Sequence, residues 1–199
     1  MSHDSFDFTD KVVLVTGGRS GIGQEAAVAF ARNGAKVVVN GRTAADETLR
    51  RIKEIGGEAV FVRGDVGWPE DVQHLVRTTV DTYGRLDVAF NNAGLLPVNA
   101  PLHEQTVEDF DRIIGADLRG VFLCMKYEIP ELLAAGGGSI INTGSVVSLV
   151  ADPGMAPYAA AKHGVAGLSK GAALEYAKQN IRINVIPPAF VATGMTQVW

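Results

Sequence analysis

Ser145, Tyr158 and Lys162 are the side chains whose types and spacing suggest chemistry. Tyr158 and Lys162 stand one helical turn apart, so a helix through them brings both to one face. An ammonium beside a phenol favours the phenolate and lowers its pKa from about 10. A tyrosine tuned in that way exchanges a proton with an alcohol or ketone oxygen near neutral pH. Ser145 ends the run Gly138-Ser139-Ile140-Ile141-Asn142-Thr143-Gly144, which reads as a strand. In parallel α/β sheets a strand end and the start of the next helix converge on one crevice. Taken alone, a Tyr-x-x-x-Lys pair is most simply an ordinary helix surface, so the rest of the chain has to decide.

The patterning supplies a frame that would position these residues. Residues 11–16 form a continuous β-branched run, the mark of a strand buried on both faces. A glycine-rich turn over 17–23 leads into a helix over 24–33, closed by Gly34, and a second strand over 35–40. The alternation continues with a helix over 43–55, a strand over 58–63 and a helix over 69–83 that has Pro69 in its first turn. A strand over 86–90 precedes Asn91-Asn92-Ala93-Gly94. A loop with Pro97 and Pro101 then leads to a long helix over 107–133, which ends before Gly136-Gly137-Gly138. A strand over 139–142, a helix over 155–178 and a strand over 181–186 complete the series, and Pro187-Pro188 cannot continue that strand. Without repeats or linkers, the pattern predicts an α/β fold over residues 1–199. The expected form is one doubly wound parallel sheet with strand order 3-2-1-4-5-6 and right-handed crossovers.

Composition narrows the function classes. A chain of 199 residues can bury one sizeable core, and nearly half of it is hydrophobic, which indicates a globular protein. The net charge of −4, with acids and bases interspersed, argues against a nucleic-acid surface. Cys124 is the single cysteine, so an internal disulfide is impossible, and its F-L-C-M-K context reads as core packing. His74 and His103 lack partners at ligand spacing, so no metal site is expected. His163, one residue past Lys162, faces elsewhere on the helix and reads as packing. The first residues carry acids and no apolar h-region, and no run is long enough to span a bilayer. A cytoplasmic protein is the expectation, with no membrane partner.

Gly17, Gly21 and Gly23 lie between the first strand and its helix, where glycines permit a tight turn and close approach of a pyrophosphate to a helix N-terminus. A P-loop would also use Gly18 and Gly23, but Gln24 stands where its lysine belongs, which excludes that reading. The second strand ends in Asn40-Gly41-Arg42. A carboxylate there would suit a ribose hydroxyl, whereas Arg42 suits a 2′-phosphate, so NADP is preferred over NAD. Arg19 is a second candidate for that phosphate. Asp65-Val66, after the third strand, is placed to meet an adenine edge, and Asp65 also fits as a loop or N-cap acid.

Together these residues resemble the short-chain dehydrogenase/reductase family in its shorter, single-domain form. Thr16-Gly17-x-x-x-Gly21-x-Gly23, Asn91-Asn92-Ala93-Gly94, Ser145, Tyr158-x-x-x-Lys162 and Ile181-Arg182-x-Asn184 occur in the family's order and spacing across nearly the whole chain. The resemblance implies a Rossmann-type fold and hydride transfer between a nicotinamide cofactor and a secondary alcohol or ketone. Tyr158 would be the general acid/base, Ser145 would orient the substrate oxygen, and Lys162 would bind the nicotinamide ribose and tune Tyr158. Gly17, Arg19, Ser20, Gly21, Ile22 and Gly23 would cradle the cofactor, with Arg42, Asp65 and Val66 at its adenosine end. Asn91, Ala93 and Gly94 would line the cleft, and Pro188, Val191 and Thr193 would approach the carboxamide.

Three departures stand out. The family's usual asparagine in the long helix is Asp117 here, a near isostere without an amide donor that would weaken a proton relay or pair with Lys162. Alanine at 189 replaces the glycine that commonly follows Pro188, so the loop beside the nicotinamide is expected to differ. The chain ends at Trp199, before the covering helical segment, further helix and seventh strand of most relatives, and the resemblance therefore implies a longer native polypeptide. The small residues over 159–168 suggest a helix buried on two faces, one of them against a partner subunit, and the family suggests a homotetramer or homodimer. Substrate contacts are expected from 95–101 and 146–153, which are mostly apolar and favour a modest, uncharged substrate. The alternative to an enzyme is a cofactor-binding protein with little turnover, in a structural or regulatory role.

Overall fold

The computed structural model describes residues 6–196. Six strands, β1 (Val12–Val15), β2 (Lys36–Gly41), β3 (Glu58–Arg63), β4 (Val88–Asn91), β5 (Gly138–Thr143) and β6 (Ile181–Ile186), form one sheet in the order β3-β2-β1-β4-β5-β6. Every neighbouring pair is parallel, so each connection crosses over a face of the sheet and carries a helix. The layout is the expected doubly wound, Rossmann-like one. The first three strands step outward one way from β1 and the last three the other way, which leaves a crevice beyond the carboxyl ends of β1 and β4.

The β-branched runs read as strands because both of their faces are covered. Val13, Val15, Val37 and Val39 pack with Ala27 and Val28 of α1 (Gly21–Arg32) and Ile52 of α2 (Asp46–Glu54). On the other face Leu14, Val38 and Ile140 pack with Leu75 of α3 (Pro69–Tyr83). Leu132 of α5 (Gly120–Ala134) and Val165 of α6 (Ala156–Tyr176) complete that layer. Full burial of a Val, Leu or Ile side chain is worth roughly 1.5–3 kcal/mol, so these two layers dominate the stability. Cys124 is fully buried in α5, as its apolar context implied.

Two helix boundaries differ from the sequence reading. α1 starts at Gly21 rather than at residue 24, because two of its first three residues are glycines, whose low helix propensity hides a turn that tertiary contacts hold. The single helix expected over 107–133 is α4 (Val107–Ile114) followed by α5, joined by a wide π-type turn over Gly115–Arg119. Such turns are common at functional sites, and this one contains the fully buried Asp117. α6 turns Ala159, Ala161, Val165, Ser169 and Ala172 inward, while Gly167, Gly171 and Leu174 face outward. No helix among the described residues is long and apolar enough to cross a membrane.

Candidate active site

The turn after β1 needs its glycines for different reasons. Gly17 (φ +65°) and Gly21 (φ +57°) adopt the left-handed region that side chains disfavour. A Cβ on Gly17 would also lie 2.8 Å from Ala93 Cα. Gly23 is not on the cleft wall, and a Cβ there would collide with the Gly17 carbonyl, so its role is helix–loop packing. Thr16 pins the turn to the one after β4. Its hydroxyl accepts from the backbone N–H groups of Asn92 (3.0 Å) and Ala93 (3.1 Å), and Asn92 Nδ2 donates back to the Thr16 carbonyl at 3.1 Å.

These turns border a cleft of about 670 Å³, lined at one end by Gly17, Ser20, Gly21, Ile22, Ala93 and Gly94. Arg19, Arg42, Asp65 and Val66 line the other end. Arg42 and Asp65 form an exposed ion pair at 4.0 Å. Arg63, absent from the sequence-based assignment, also borders the cleft and donates from Nε to the Arg42 carbonyl at 3.0 Å. Its signal was its position opposite Gly41 at the shared carboxyl end of β2 and β3, visible only once those strands are paired.

Asn91 does not reach the cleft. It is the last residue of β4, and its Nδ2 donates to Glu128 Oε2 and Asn142 Oδ1, both at 3.0 Å, inside the core. The next residue, Asn92, lines the cleft instead. Adjacent asparagines in one motif cannot be told apart until strand alternation assigns one of them inward. Asn142 in turn donates to Ser169 Oγ at 2.8 Å, so a buried polar chain ties β4, β5, α5 and α6 together beneath the site. Burial pushes the Glu128 carboxyl up to about 7.

A second cavity of about 270 Å³ opens from the first, sharing Ile22, Asn92, Gly94, Leu95, Thr193 and Met195 with it. Ser145, Tyr158, Lys162 and Asp117 all lie on its wall, as do Pro188 and Val191. Ser145 caps the 3-10 turn Val146–Ser148, accepting from Val147 N–H at 3.3 Å, while its own N–H donates to Ser148 Oγ at 3.0 Å. Val146 N–H donates to the Pro188 carbonyl at 3.0 Å and closes the turn against the segment after β6. Ala189 is not among the non-glycine residues with positive φ, so this loop needs no glycine there and carries no backbone strain.

Tyr158 and Lys162 occupy successive turns of α6, with Lys162 Nζ 5.5 Å from the Tyr158 ring centre. Lys162 Nζ donates to the Thr143 carbonyl at 3.1 Å and pairs with Asp117 Oδ1 at 3.4 Å. Both ends of that pair are shielded, the side chains being 4% and 0% exposed. Asp117 also accepts from Leu95 N–H at 3.0 and 3.2 Å, so it bridges α6 to the turn after β4. Burial raises the Asp117 carboxyl, against the opposing pull of Lys162 and the Leu95 N–H.

The expected lowering of Tyr158 is reversed. Burial raises its phenol first and the Asp117 carboxylate adds to that, while interaction with Ser145 acts the other way. The ammonium that was to favour the phenolate is matched by a carboxylate in the same pocket. The structure thus brings a serine, a tyrosine and a lysine to one wall beside a long, glycine-bordered cleft, an arrangement able to bind an extended anionic molecule and to move a proton at its inner end.

The family model described as short chain dehydrogenase matches residues 11–199. Cyclohexanol dehydrogenase of Acinetobacter sp. (strain SE19) is 43% identical over 190 residues, covering 94% of this chain and 76% of that protein. Among solved structures, levodione reductase superposes with a TM-score of 0.93 at 36% identity, over 94% of this chain and 74% of that one. Carveol dehydrogenase from Mycobacterium avium, solved in complex with NAD, gives 0.91 at 31% identity over 94% and 73% of the two chains.

Proposed function

Because the chain belongs to the short-chain dehydrogenase family, a family of oxidoreductases, we propose that it interconverts secondary alcohols and ketones with a nicotinamide dinucleotide, NADP in preference to NAD. The observation that carries this reading is the shared wall of Ser145, Tyr158 and Lys162 in a cavity continuous with the glycine-bordered cleft. That cleft suits a dinucleotide. It has two left-handed glycines where a Cβ would intrude, the first N–H groups of α1, and arginines at one end. When bound, the nicotinamide ring supplies or accepts the hydride.

The chain's own residues do the rest. Tyr158 donates its phenolic proton to the carbonyl oxygen during reduction and takes it back during oxidation. Ser145 holds the same oxygen by a hydrogen bond and orients the carbonyl. Lys162 binds ribose hydroxyls and offsets the charge that develops on Tyr158, and Asp117 positions Lys162. Gly17, Ser20, Gly21 and Ile22 face the pyrophosphate, Ala93 and Gly94 leave room for the ribose, and Pro188, Val191 and Thr193 meet the carboxamide end. Asp65 and Val66 border the adenine.

Arg42, with Arg19 and Arg63 beside the same end of the cleft, supports a 2′-phosphate. The present partner of Arg42 is Asp65, but an exposed pair at 4.0 Å is worth little and yields to a dianion. The carveol dehydrogenase relative, solved with NAD, argues the other way.

The test is reduction of a panel of ketones by the purified chain with NADPH and NADH. Turnover is expected, and Tyr158→Phe should retain cofactor binding while losing at least about a hundredfold in rate. Binding without turnover of any alcohol or ketone would favour a second reading, a cofactor-binding protein with little catalysis. The buried Lys162–Asp117 pair, which occupies the ammonium next to Tyr158, is the feature on that side.

A further inference from the structure

Gln105 is on the wall of neither cavity, yet its side chain joins the two loops that form one side of the inner one. Its backbone stands between a 3-10 turn over Leu102–Glu104 and α4, whose first turn is capped by the Thr106 hydroxyl. From that anchored position the half-buried side chain reaches back. Nε2 donates to the Ala100 carbonyl at 2.9 Å and to the Val98 and Gly154 carbonyls, both at 3.0 Å. An amide nitrogen carries two protons, so three carbonyl oxygens from two loops share them.

The two loops also interlock without Gln105. Ala100 N–H donates to the Gly154 carbonyl at 3.3 Å. Gly154 holds a φ of +81°, and a Cβ there would collide with Asn99 Oδ1, so only glycine fits. This seam shapes the cavity wall. The loop after β4 carries Leu95 and Leu96, and the other ends in Met155, the residue that precedes the first turn of α6 and lies just before Tyr158. Leu95 N–H is already held by Asp117 at 3.0 Å. Leu96 therefore sits between two anchors, Asp117 on one side and Gln105 on the other.

The groups next to the reacting oxygen do not depend on the seam. Ser145 caps its own turn, and Lys162 is held by the Thr143 carbonyl and by Asp117. Tyr158 rides on a helix whose next residues, Ala161 and Val165, are fully buried. Loosening the seam thus moves the substrate wall and leaves the proton donor in place.

We propose that Gln105 is a positioning residue for substrate binding, its amide setting the separation of the two loops and so the width of the inner cavity beside Tyr158. This rests on the oxidoreductase reading above and adds the side chain that shapes its substrate site.

The test compares the wild-type chain with Gln105→Met, which removes the donors, and Gln105→Glu, which turns a carboxylate toward three carbonyl oxygens. KM and kcat are measured for cyclohexanone with saturating NADPH, and the NADPH dissociation constant is measured separately. In Gln105→Glu, KM for the ketone should rise by at least about tenfold, with kcat and the NADPH constant within about threefold of wild type. Gln105→Met should raise KM by a smaller factor in the same direction. A merely structural clamp would lower thermal stability and kcat without this split. If Gln105→Glu does not fold, Gln105→Met decides alone. A ketone KM within about twofold of wild type, or a loss carried by kcat or by NADPH binding, overturns the proposal and leaves the oxidoreductase reading standing. Binding of NADPH with no turnover of any ketone by the wild-type chain overturns both.

Discussion

At the residue scale, Asp117 is the charge that distinguishes the surroundings of Tyr158 and Lys162. Its family position is recognisable in the sequence, but its consequence is not, because the sign of the Tyr158 shift depends on which charges share one buried pocket. The structure puts the carboxylate against Lys162 and raises the Tyr158 phenol through burial and through that charge. In the proposed alcohol oxidation Tyr158 would act as a base, so the rate should rise with pH through its pKa. Asp117→Asn removes the charge and keeps an acceptor for Leu95 N–H. The rising limb of the pH–rate profile should therefore move to lower pH, and an unmoved limb would remove Asp117 from the tuning of Tyr158. At the other end of the cleft, Arg42→Asp should weaken NADPH relative to NADH by at least about tenfold, measured as the ratio of the two dissociation constants. An unchanged ratio would take Arg42 out of cofactor choice. Arg63 could not be assigned from sequence, since its role depends on strands that are distant in the chain.

Most of the architecture was legible at the element scale. Continuous Val and Ile runs separated by helical stretches announce a parallel sheet, and glycines at strand ends mark its turns. The π-type turn within 115–119 was not legible, because no proline or other helix breaker interrupts Ala116-Asp117-Leu118-Arg119 and the wider winding is held by contacts made only in the fold. Nor was the polar chain beneath the site, since Glu128 in Met-Lys-Tyr-Glu-Ile-Pro looks like an ordinary surface acid. In α5 it is fully buried, with Oε1 unpartnered and Oε2 held by Asn91. Its pKa is raised from 4.5 to about 7. The folded form therefore binds this proton more tightly than the unfolded form. The resulting stability is fully present below 4.5 and is lost as pH rises through 7. The size of that loss is about 3 kcal/mol. Glu128→Gln keeps an acceptor for Asn91 and carries no charge. Denaturant titrations at pH 5 and pH 8 should show the variant gaining on the wild type at the higher pH by that order. Parallel behaviour at both pH values would mean that Glu128 does not ionise in the fold.

For the whole molecule, the question is what covers the outer helices. Leu174 on α6 is 83% exposed and Val107 on α4 is 70% exposed, with Phe110 and Phe122 also partly in solvent. Burying one such side chain is worth about 2 kcal/mol, so a second copy of the chain is the simplest cover. A homodimer or homotetramer is expected by light scattering at micromolar concentration, and Leu174→Asp should shift it toward monomer. A monomeric mass for the unmodified chain would rule this out. Small-residue content along α6 hinted at such a face, but exposure of Leu174 becomes visible only when the helix is seated on the sheet.

The wide turn over 115–119 also sets the phase of everything after it. Regular winding there would advance each later side chain by about 100° around the axis. Leu123 and Leu132 would swing off the sheet, and Glu128 would leave Asn91. The irregularity that delivers one carboxylate to the cavity beside Tyr158 and Lys162 is therefore the same offset that keeps the fifteen residues of α5 in register with the core. Along this helix, chemistry and packing share a single angular reference.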